Sequence, residues 1–242
     1  MPPSRKAWAV VVAAGAATRF GGDTPKQFVP VAGRPLVLWA LDPFLAHPTI
    51  VGITLVVPGE HAARPPGWLA DLRRRGVRVA AGGRTRSDSV RLGLETASED
   101  VELVAVHDGA RPLITTAEIS RVLDAADGAT GAIAARPVRD TLKVVNDASR
   151  IVRTVDRDGL WRAETPQAFD REVLVEVHRR AAEDGVTGSD CAALCERYGF
   201  AVRVVEIRGP NIKVTTAQDL ALAEAWLEAR GVRAGEDDDV ER

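Results

Sequence analysis

Short apolar runs alternate with helix-forming segments along most of this 242-residue chain, and this alternation limits the folds open to it. The runs are of strand length, and the stretches between them carry helix caps or helical spacing of leucines. Strands separated by helices favour a parallel sheet with helices on both faces, a doubly wound α/β fold. The predicted strands are Trp8 to Val12, Ile50 to Val57, Val77 to Ala81, Glu102 to Val106, Gly131 to Ala135, Ala201 to Ile207 and Asn211 to Val214.

The helix starts are marked by proline or by capping residues. Arg34 and Pro35 put a proline in the first turn of one predicted helix. Serine and aspartate in R-T-R-S-D-S-V, residues 84–90, stand where an N-cap belongs. Thr115 and Glu118 have the spacing of a capping box, which predicts a further helix start there.

One segment departs from this alternation. The runs Thr141 to Val145 and Ile151 to Val155 are separated by the turn-forming residues N-D-A-S-R, a pattern typical of a hairpin. With no internal repeat and no domain linker in the sequence, we predict a single domain over residues 1–235. A protruding β-hairpin arm occupies 137–165, and an acidic disordered tail occupies 236–242.

Composition excludes several classes of protein. The net charge of −2 gives no basic field for nucleic acid, and no apolar run is long enough to span a membrane. The first residues lack the apolar region of a signal peptide, so we expect a cytoplasmic protein. Cys191 and Cys195 stand alone as cysteines, too few for a zinc set, and we expect buried free thiols.

The loop after the first predicted strand has the composition of an anion-binding site. It contains Gly15, Gly21 and Gly22, and it carries the cations Arg19 and Lys26. Glycines let a backbone approach a phosphate closely, and exposed N–H groups form an anion-binding nest. Taken alone, the loop could equally be an ordinary basic turn between a strand and a helix.

Other polar loops follow other predicted strands. They are Gly82 to Ser89, His107 to Arg111 and Asn211 to Thr215. Since ligands of open α/β sheets bind beyond the carboxyl ends of the strands, we expect these loops to converge. Lys213 adds a cation, and Asp108 has the position of a Mg²⁺-binding carboxylate. No arrangement indicates a covalent nucleophile, so the site favours phosphoryl or nucleotidyl transfer.

These side chains also have ordinary interpretations. Arg19 could cap a helix, Lys26 could be a solvated loop charge, and Arg157 could serve solubility alone. His107 is expected to be structural, because it stands on the strand side of Asp108.

Eight motifs in register resemble a known family. In order they are A-A-G-x-x-x-R-F-G, P-K-Q-F, G-G-x-x-R-x-D-S-V, H-D-G-A-R-P, P-V-R-D-T, T-V-D-R-x-G-L-W, T-P-Q-x-F and N-I-K-V-T. Together they resemble the 2-C-methyl-D-erythritol 4-phosphate cytidylyltransferases of isoprenoid biosynthesis. The resemblance implies a Rossmann-like nucleotidyltransferase sheet. It also implies an enzyme that joins CTP and methylerythritol phosphate, with Mg²⁺, and releases pyrophosphate by in-line attack on the α-phosphate.

The resemblance also implies roles for particular residues. The catalytic residues would be Arg19, Lys26, Lys213 and Arg157. The nucleotide would lie against Ala13, Ala14, Gly15, Gly83, Ser89 and Asp108, with Asp108 also at the metal. The polyol phosphate would meet Arg111, Thr141, Arg157, Thr165, Ser189 and Lys213.

In the family the arm exchanges across a homodimer, so Arg157 would act in the partner's site. Three residues depart from the family pattern: Ala17 stands at a usual loop glycine, Arg84 at a position often acidic, and Ser189 at a usual threonine. Two alternatives remain open at this point. One is a ribitol 5-phosphate cytidylyltransferase, and the other is a catalytically inactive nucleotide-binding protein on the same fold.

Overall fold

The computed structural model describes residues 5–15, 25–126 and 130–231, and its centre is a seven-stranded sheet. The strands of that sheet are β1 (Ala7–Val12), β4 (Ile50–Val57), β5 (Arg78–Ala81), β6 (Leu103–Asp108), β7 (Gly131–Pro137), β10 (Trp161–Asp170) and β11 (Arg203–Glu206). Two short pairs lie outside it, β2 (Pro30–Val31) with β3 (Arg34–Pro35), and β8 (Leu142–Val145) with β9 (Ile151–Val155). The order across the main sheet is β11-β7-β10-β6-β1-β4-β5.

The helices that follow these strands are α1 (Leu36–Leu45), α2 (Gly59–Ala63), α3 (Gly67–Arg74), α4 (Arg86–Leu94), α5 (Thr116–Ala126), α6 (Arg171–Glu183), α7 (Cys191–Arg197) and α8 (Ala217–Ala229), with a 3₁₀ turn at Lys26–Phe28. In the part of the chain that the structure describes, no helix is long and apolar enough to cross a membrane.

The two faces of the sheet bury two different clusters of apolar side chains. Along β1, Ala9 and Val11 point into a cluster with residues of α1, α3 and α5. Trp8 and Val10 point to the other face, into a cluster with residues of α4, α6 and α7. Full burial of one such valine stabilises the fold by about 1.5–3 kcal/mol. The predicted α/β class, with helices on both faces, is confirmed.

The sheet is mostly parallel, with one antiparallel strand that the sequence did not reveal. β1 runs parallel to β4 and β6, and β7 runs parallel to β11, whereas β10 is antiparallel to both β6 and β7. The arm was predicted to end at residue 165, whereas Thr165 lies inside β10. The β10–β7 register shifts between Ala163 and Gln167, so Thr165 and Pro166 stand outside the paired positions. Because a proline in a run of residues argues against a central strand, the sequence pattern does not predict β10.

The hairpin predicted outside the alternation is present. β8 and β9 pair antiparallel and form a sheet of their own, and residues 161–163 below them pair with β7 in the main sheet. The predicted arm of 137–165 includes Pro137 and residues 161–165, which belong to β7 and β10 of the main sheet, so we limit the arm to residues 138–160. The division of the chain into one domain and a tail stays a prediction, and residues 236–242 lie outside the described ranges.

Two further predictions of local structure were wrong. Arg34 and Pro35 form β3 and precede the helix, because the chain first turns back through Ala32 and Gly33, both at positive φ. The segment 211–214 is not a strand and joins no sheet. It runs beside the end of β6, where Val214 N–H donates to the carbonyl oxygen of Ala110 at 2.8 Å.

Candidate active site

Asp108 is the last residue of β6 and the centre of a cluster of cations. It is only 7% exposed. Arg86 Nε donates to Asp108 Oδ1 at 3.1 Å, and the Arg86 Nη2 atom lies 3.0 Å from the same oxygen. Lys213 Nζ donates to Oδ2 at 2.7 Å, and Arg111 Nε lies 3.9 Å from Oδ2. Three elements far apart in sequence therefore meet at one carboxylate.

This arrangement keeps Asp108 ionised. Burial acts to raise the pKa of Asp108, but Arg86 and Lys213 outweigh it and hold that pKa well below the usual range of an aspartate. Burial likewise acts to lower the pKa of Arg86, and Asp108 more than reverses this, so the pKa of Arg86 is raised. Asp108 is thus an anchor for cations and a poor acceptor of protons at neutral pH.

Arg86 is the functional candidate that we missed from the sequence. It is the first residue of α4, and its N-cap is Thr85, which accepts from Asp88 N–H while the Asp88 carboxylate accepts from Thr85 N–H. We had placed the cap on serine or aspartate, and the structure corrects this to Thr85. A cation at a helix N-terminus is unfavourable unless an anion holds it, and here Asp108 does so. The arginine in G-G-x-x-R-x-D-S-V was the available signal.

His107 and Thr165 set the backbone beneath Asp108. His107 is fully buried, and burial lowers its pKa to about 4, so its ring is neutral. Its Nε2 lies 3.1 Å from the carbonyl oxygen of Arg111, which can only accept, so Nε2 carries the proton. The Thr165 hydroxyl therefore donates to His107 Nδ1, at 3.1 Å, and accepts from Asp108 N–H at 3.0 Å. Both of these hydrogen bonds are internal to the protein.

A pocket of about 620 Å³ opens beside Asp108 and collects loops from four strand ends. Four cationic residues line it, and Asp108 is the one carboxylate among the described residues that line it. Such a balance of charge suits a polyphosphate. The lining residues are Val12, Ala14, Gly15, Lys26, Gln27, Gly83, Arg84, Thr85, Arg86, Ser89, Asp108, Ala110, Lys213 and Thr215. Ala13 is buried beneath them, and its N–H donates to Val56.

Gly83 lines one wall of the pocket, and Gly82 stands next to it in the chain. A Cβ added to Gly82 would lie 2.2 Å from Ala14 Cβ, and one added to Gly83 would lie 2.3 Å from Asp88 Cβ. Ser89 shapes this wall, because its hydroxyl accepts from Gly83 N–H at 3.1 Å and donates to the carbonyl oxygen of Thr85 at 2.9 Å. No side chain larger than hydrogen fits here, which leaves the backbone to face a flat ligand.

Two helix N-termini face this pocket of about 620 Å³. Thr85 caps α4, and Thr216 caps α8 with Asp219 in a second capping box; Thr85 and Thr215 both line the pocket. Helix N-termini attract phosphate oxygens through their N–H groups and dipole. Together with Lys26 and Lys213 they define a site for phosphates.

A second pocket of about 340 Å³ adjoins the first. It is lined by Arg111, Arg136, Arg162, Ala163, Glu164, Asn211, Ile212 and Lys213. Lys213 lines both pockets and is therefore the boundary between them. Two pockets with a shared cation suit a reaction between two phosphorylated substrates.

Some predicted site residues lie elsewhere. Thr141 and Arg157 are exposed on the arm, where Arg157 Nη1 donates to the carbonyl oxygen of Arg139. Ser189 is exposed beside Asp190, whose side chain caps α7. Arg19 and Ala17 lie outside the described residues.

The fold is a mostly parallel sheet whose carboxyl edge carries loops rich in glycine and cations. With two pockets beside that edge, this is the class of a nucleotidyltransferase, whose reaction needs no nucleophile from the protein. The profile of the 2-C-methyl-D-erythritol 4-phosphate cytidylyltransferase family matches residues 7–229. The chain belongs to that family and is an enzyme.

Individual relatives agree with this assignment. A 2-C-methyl-D-erythritol 4-phosphate cytidylyltransferase of Syntrophus aciditrophicus is 41% identical over 228 residues, which cover 92% of this chain and 96% of the relative. One of Xanthomonas euvesicatoria is 44% identical over 232 residues, covering 94% of this chain and 87% of the relative. The crystal structure of the Thermus thermophilus enzyme has a TM-score of 0.76 and 35% identity, covering 90% of this chain and 98% of that one.

Proposed function

We propose that this chain transfers the cytidylyl group of CTP to 2-C-methyl-D-erythritol 4-phosphate. The observation that best supports this proposal is the position of Lys213, which lines both pockets while its ammonium group donates a hydrogen bond to Asp108. A phosphate oxygen of the polyol substrate attacks the α-phosphorus of CTP in line. The bond from that phosphorus to the bridging oxygen breaks, and pyrophosphate leaves with the electron pair.

The larger pocket is the CTP site in this proposal. The cytosine lies against the edge formed by Ala14 and Gly83, and the triphosphate faces Lys26 and the N-termini of α4 and α8. Lys26 and Lys213 neutralise the charge that accumulates around the α-phosphate in the transition state. Arg19, outside the described residues, is proposed to join them.

The smaller pocket is the site of the polyol phosphate. Arg111 and Lys213 supply the charge that holds its phosphate beside the α-phosphorus of CTP. Thr165 stays a predicted contact whose hydroxyl is already bonded to His107 and Asp108. The family match and the similar enzymes do not favour ribitol 5-phosphate as the acceptor, nor an inactive nucleotide-binding protein.

Mg²⁺ fits this site. Within the described ranges no three carboxylate, histidine or cysteine side chains cluster, but Mg²⁺ is often held by a single carboxylate and substrate phosphates. Asp108 is that carboxylate, ionised and at the pocket wall. When bound, the ion supplies positive charge to the triphosphate. Arg86 and Lys213 meanwhile fix where the carboxylate stands.

We propose that the arm joins two protomers. A hairpin of two strands is marginal by itself, and this one exposes apolar side chains, with Ile151 66% and Val152 61% exposed. Burial against a second copy of the chain removes that surface from water. Arg157 then contributes to the site of the partner. The cytoplasmic location stays a prediction.

Substrate assays test the reaction. Purified enzyme with CTP, Mg²⁺ and 2-C-methyl-D-erythritol 4-phosphate is expected to release pyrophosphate and form the CDP product, detected by phosphorus NMR. Ribitol 5-phosphate in the same assay is expected to react far more slowly. Turnover of ribitol 5-phosphate alone would overturn the proposed acceptor, and no turnover of either would overturn the activity.

Mixed dimers test the shared site. Arg157→Ala and Lys213→Ala are each expected to be inactive. In a randomly exchanged equal mixture, half of the dimers carry one of each subunit, and each of these has one intact site, so about a quarter of wild-type activity returns. No recovery in a mixture shown to exchange subunits would contradict the shared site.

A further inference from the structure

The segment 211–214 carries Lys213 to the site without the support of a sheet or a helix. Its backbone is attached at its far end by Val214 N–H, which donates to Ala110 at 2.8 Å. At its near end the attachment is the side chain of Asn211. Irregular backbone needs such attachments to hold a side chain in one place, so Asn211 decides where this segment begins.

The Asn211 side chain uses both of its donors. It is 1% exposed, and its Nδ2 lies 2.9 Å from Glu164 Oε2 and 2.8 Å from the carbonyl oxygen of Thr165. Because both partners can only accept, the amide can stand in one orientation alone. The segment is thereby fastened to β10.

The main chain of Asn211 holds a second cation of the site, Arg111. Arg111 Nη1 donates to the carbonyl oxygen of Asn211 at 2.7 Å. Arg111 and Lys213 both point at Asp108, with nitrogen-to-oxygen distances of 3.9 Å and 2.7 Å. A shift of Asn211 would therefore move two of the three cations around Asp108.

Glu164 strengthens the hydrogen bond that holds the Asn211 side chain. It is buried, and Arg136 Nε donates to its Oε1 at 2.9 Å, which leaves Oε2 for Asn211. Hydrogen bonds to an ionised acceptor are stronger than those between neutral groups. Arg136, Glu164 and Asn211 thus form a chain of contacts from β7 through β10 to the segment of Lys213.

Stability alone does not account for Asn211. Among the described residues its Oδ1 has no hydrogen-bond partner, although it is buried. A buried acceptor without a partner costs free energy that an apolar side chain of similar size would avoid. The amide is therefore better explained by what its donors hold in place.

We propose that Asn211 is a positioning residue for cytidylyl transfer, and that Glu164 holds it so that Lys213 and Arg111 meet at Asp108. The proposal rests on the proposed function, because the cations it positions are those of the transfer step. Misplacement of such a group by about 1 Å can cost on the order of 10²-fold in rate.

Asn211→Leu is the principal test, since leucine keeps the volume and removes both donors. We expect kcat to fall by on the order of 10²-fold, while KM for CTP changes little because the larger pocket keeps Lys26 and Gly83. In the Asn211→Leu background, Lys213→Ala is expected to cost only a few-fold more, because Lys213 is already misplaced.

Thr54→Val is the matched control. Thr54 is also buried with two hydrogen bonds, to Trp8 Nε1 at 2.9 Å and Thr96 Oγ1 at 2.5 Å, but it lies in β4 away from both pockets. It is expected to lower the melting temperature and leave kcat unchanged. A similar loss of kcat in Thr54→Val, or full additivity of Asn211→Leu with Lys213→Ala, would overturn the proposal.

Two further measurements keep the test decisive. If Asn211→Leu does not fold, Glu164→Gln, which keeps an acceptor, is expected to retain more kcat than Glu164→Leu; equal rates would contradict the proposal. In a crystal structure of Asn211→Leu or Glu164→Leu, Lys213 Nζ is expected to have left Asp108. Retention of that contact would overturn the positioning role, whereas an inactive wild-type enzyme would overturn only the proposed function.

Discussion

Removal of Arg86 tests whether a cation missed by sequence patterns organises the site. Arg86→Ala removes one cation from the nearly buried Asp108. Lys213 is then its one close cation, with Arg111 at 3.9 Å. Breaking a fully buried ion pair costs 3–5 kcal/mol. The Arg86 side chain is 24% exposed and Lys213 remains, so we expect a smaller loss of unfolding free energy, about 2–3 kcal/mol.

That loss predicts a measurable fall in melting temperature. For a chain of this size each kcal/mol corresponds to roughly 2–4 °C, so Arg86→Ala should melt about 4–12 °C below the wild type. Because Asp108 loses its partner on Oδ1, kcat is also expected to fall by on the order of 10²-fold. Calorimetry and a continuous pyrophosphate-release assay measure the two effects on the same preparation.

The structure supplies a matched control and a rescue. Arg91, also on α4, pairs with Glu95 at the surface, and Arg91→Ala should cost only about 0.3–0.5 kcal/mol with unchanged kcat. Adding Asp108→Asn to Arg86→Ala removes a buried charge that Lys213 is left to balance, while the half-exposed Lys213 can be solvated instead. The double variant should therefore regain part of the stability but none of the activity. A melting temperature within 1 °C of wild type for Arg86→Ala, or no gain from Asp108→Asn, would refute this account of the pair.

Three further predictions follow from the site and its supports. Lys26→Ala and Lys213→Ala should each lower kcat by on the order of 10²–10³-fold at unchanged circular dichroism, as for a lost transition-state donor, and wild-type rates in both would contradict the assignment. Gly83→Ala puts a Cβ 2.3 Å from Asp88 Cβ and should raise KM for CTP more than it lowers kcat. Burial lowers the pKa of His107 to about 4 from 6.5, so the unfolded chain takes up the proton first. Its contribution to stability is therefore present above pH 6.5 and lost towards pH 4. His107 should contribute about 2 kcal/mol of the stability that urea unfolding shows to be lost between pH 7.5 and pH 5, and His107→Gln should lack that part of the difference.

Local signals in the sequence predicted much of the fold. The apolar runs mark β1, β4, β6 and β7 because a strand buried on both faces must be apolar along its length. Thr115 with Glu118 marks a helix start because a cap depends only on neighbouring residues. The same locality made the glycine and cation loops recognisable, and they do meet at one edge of the sheet.

Local signals failed where a distant partner decides the structure. β10 carries Glu164, Thr165 and Pro166, and it is a strand because β6 and β7 pair with it on both sides. The segment that holds Lys213 has a strand-like sequence, but the side chain of Asn211 and the backbone of Ala110 hold it outside any sheet.

The sequence by itself determined the class of fold, the motifs and the family, because these depend on residue order and spacing. Only the tertiary structure decided that Arg86, Asp108 and Lys213 form one charged centre. Arg86 and Lys213 stand 22 and 105 positions from Asp108, and the contact of each with it depends on the packing of separate elements. The low exposure that makes this centre strong is likewise a property of the packed sheet edge, since burial strengthens charge interactions that water would otherwise screen.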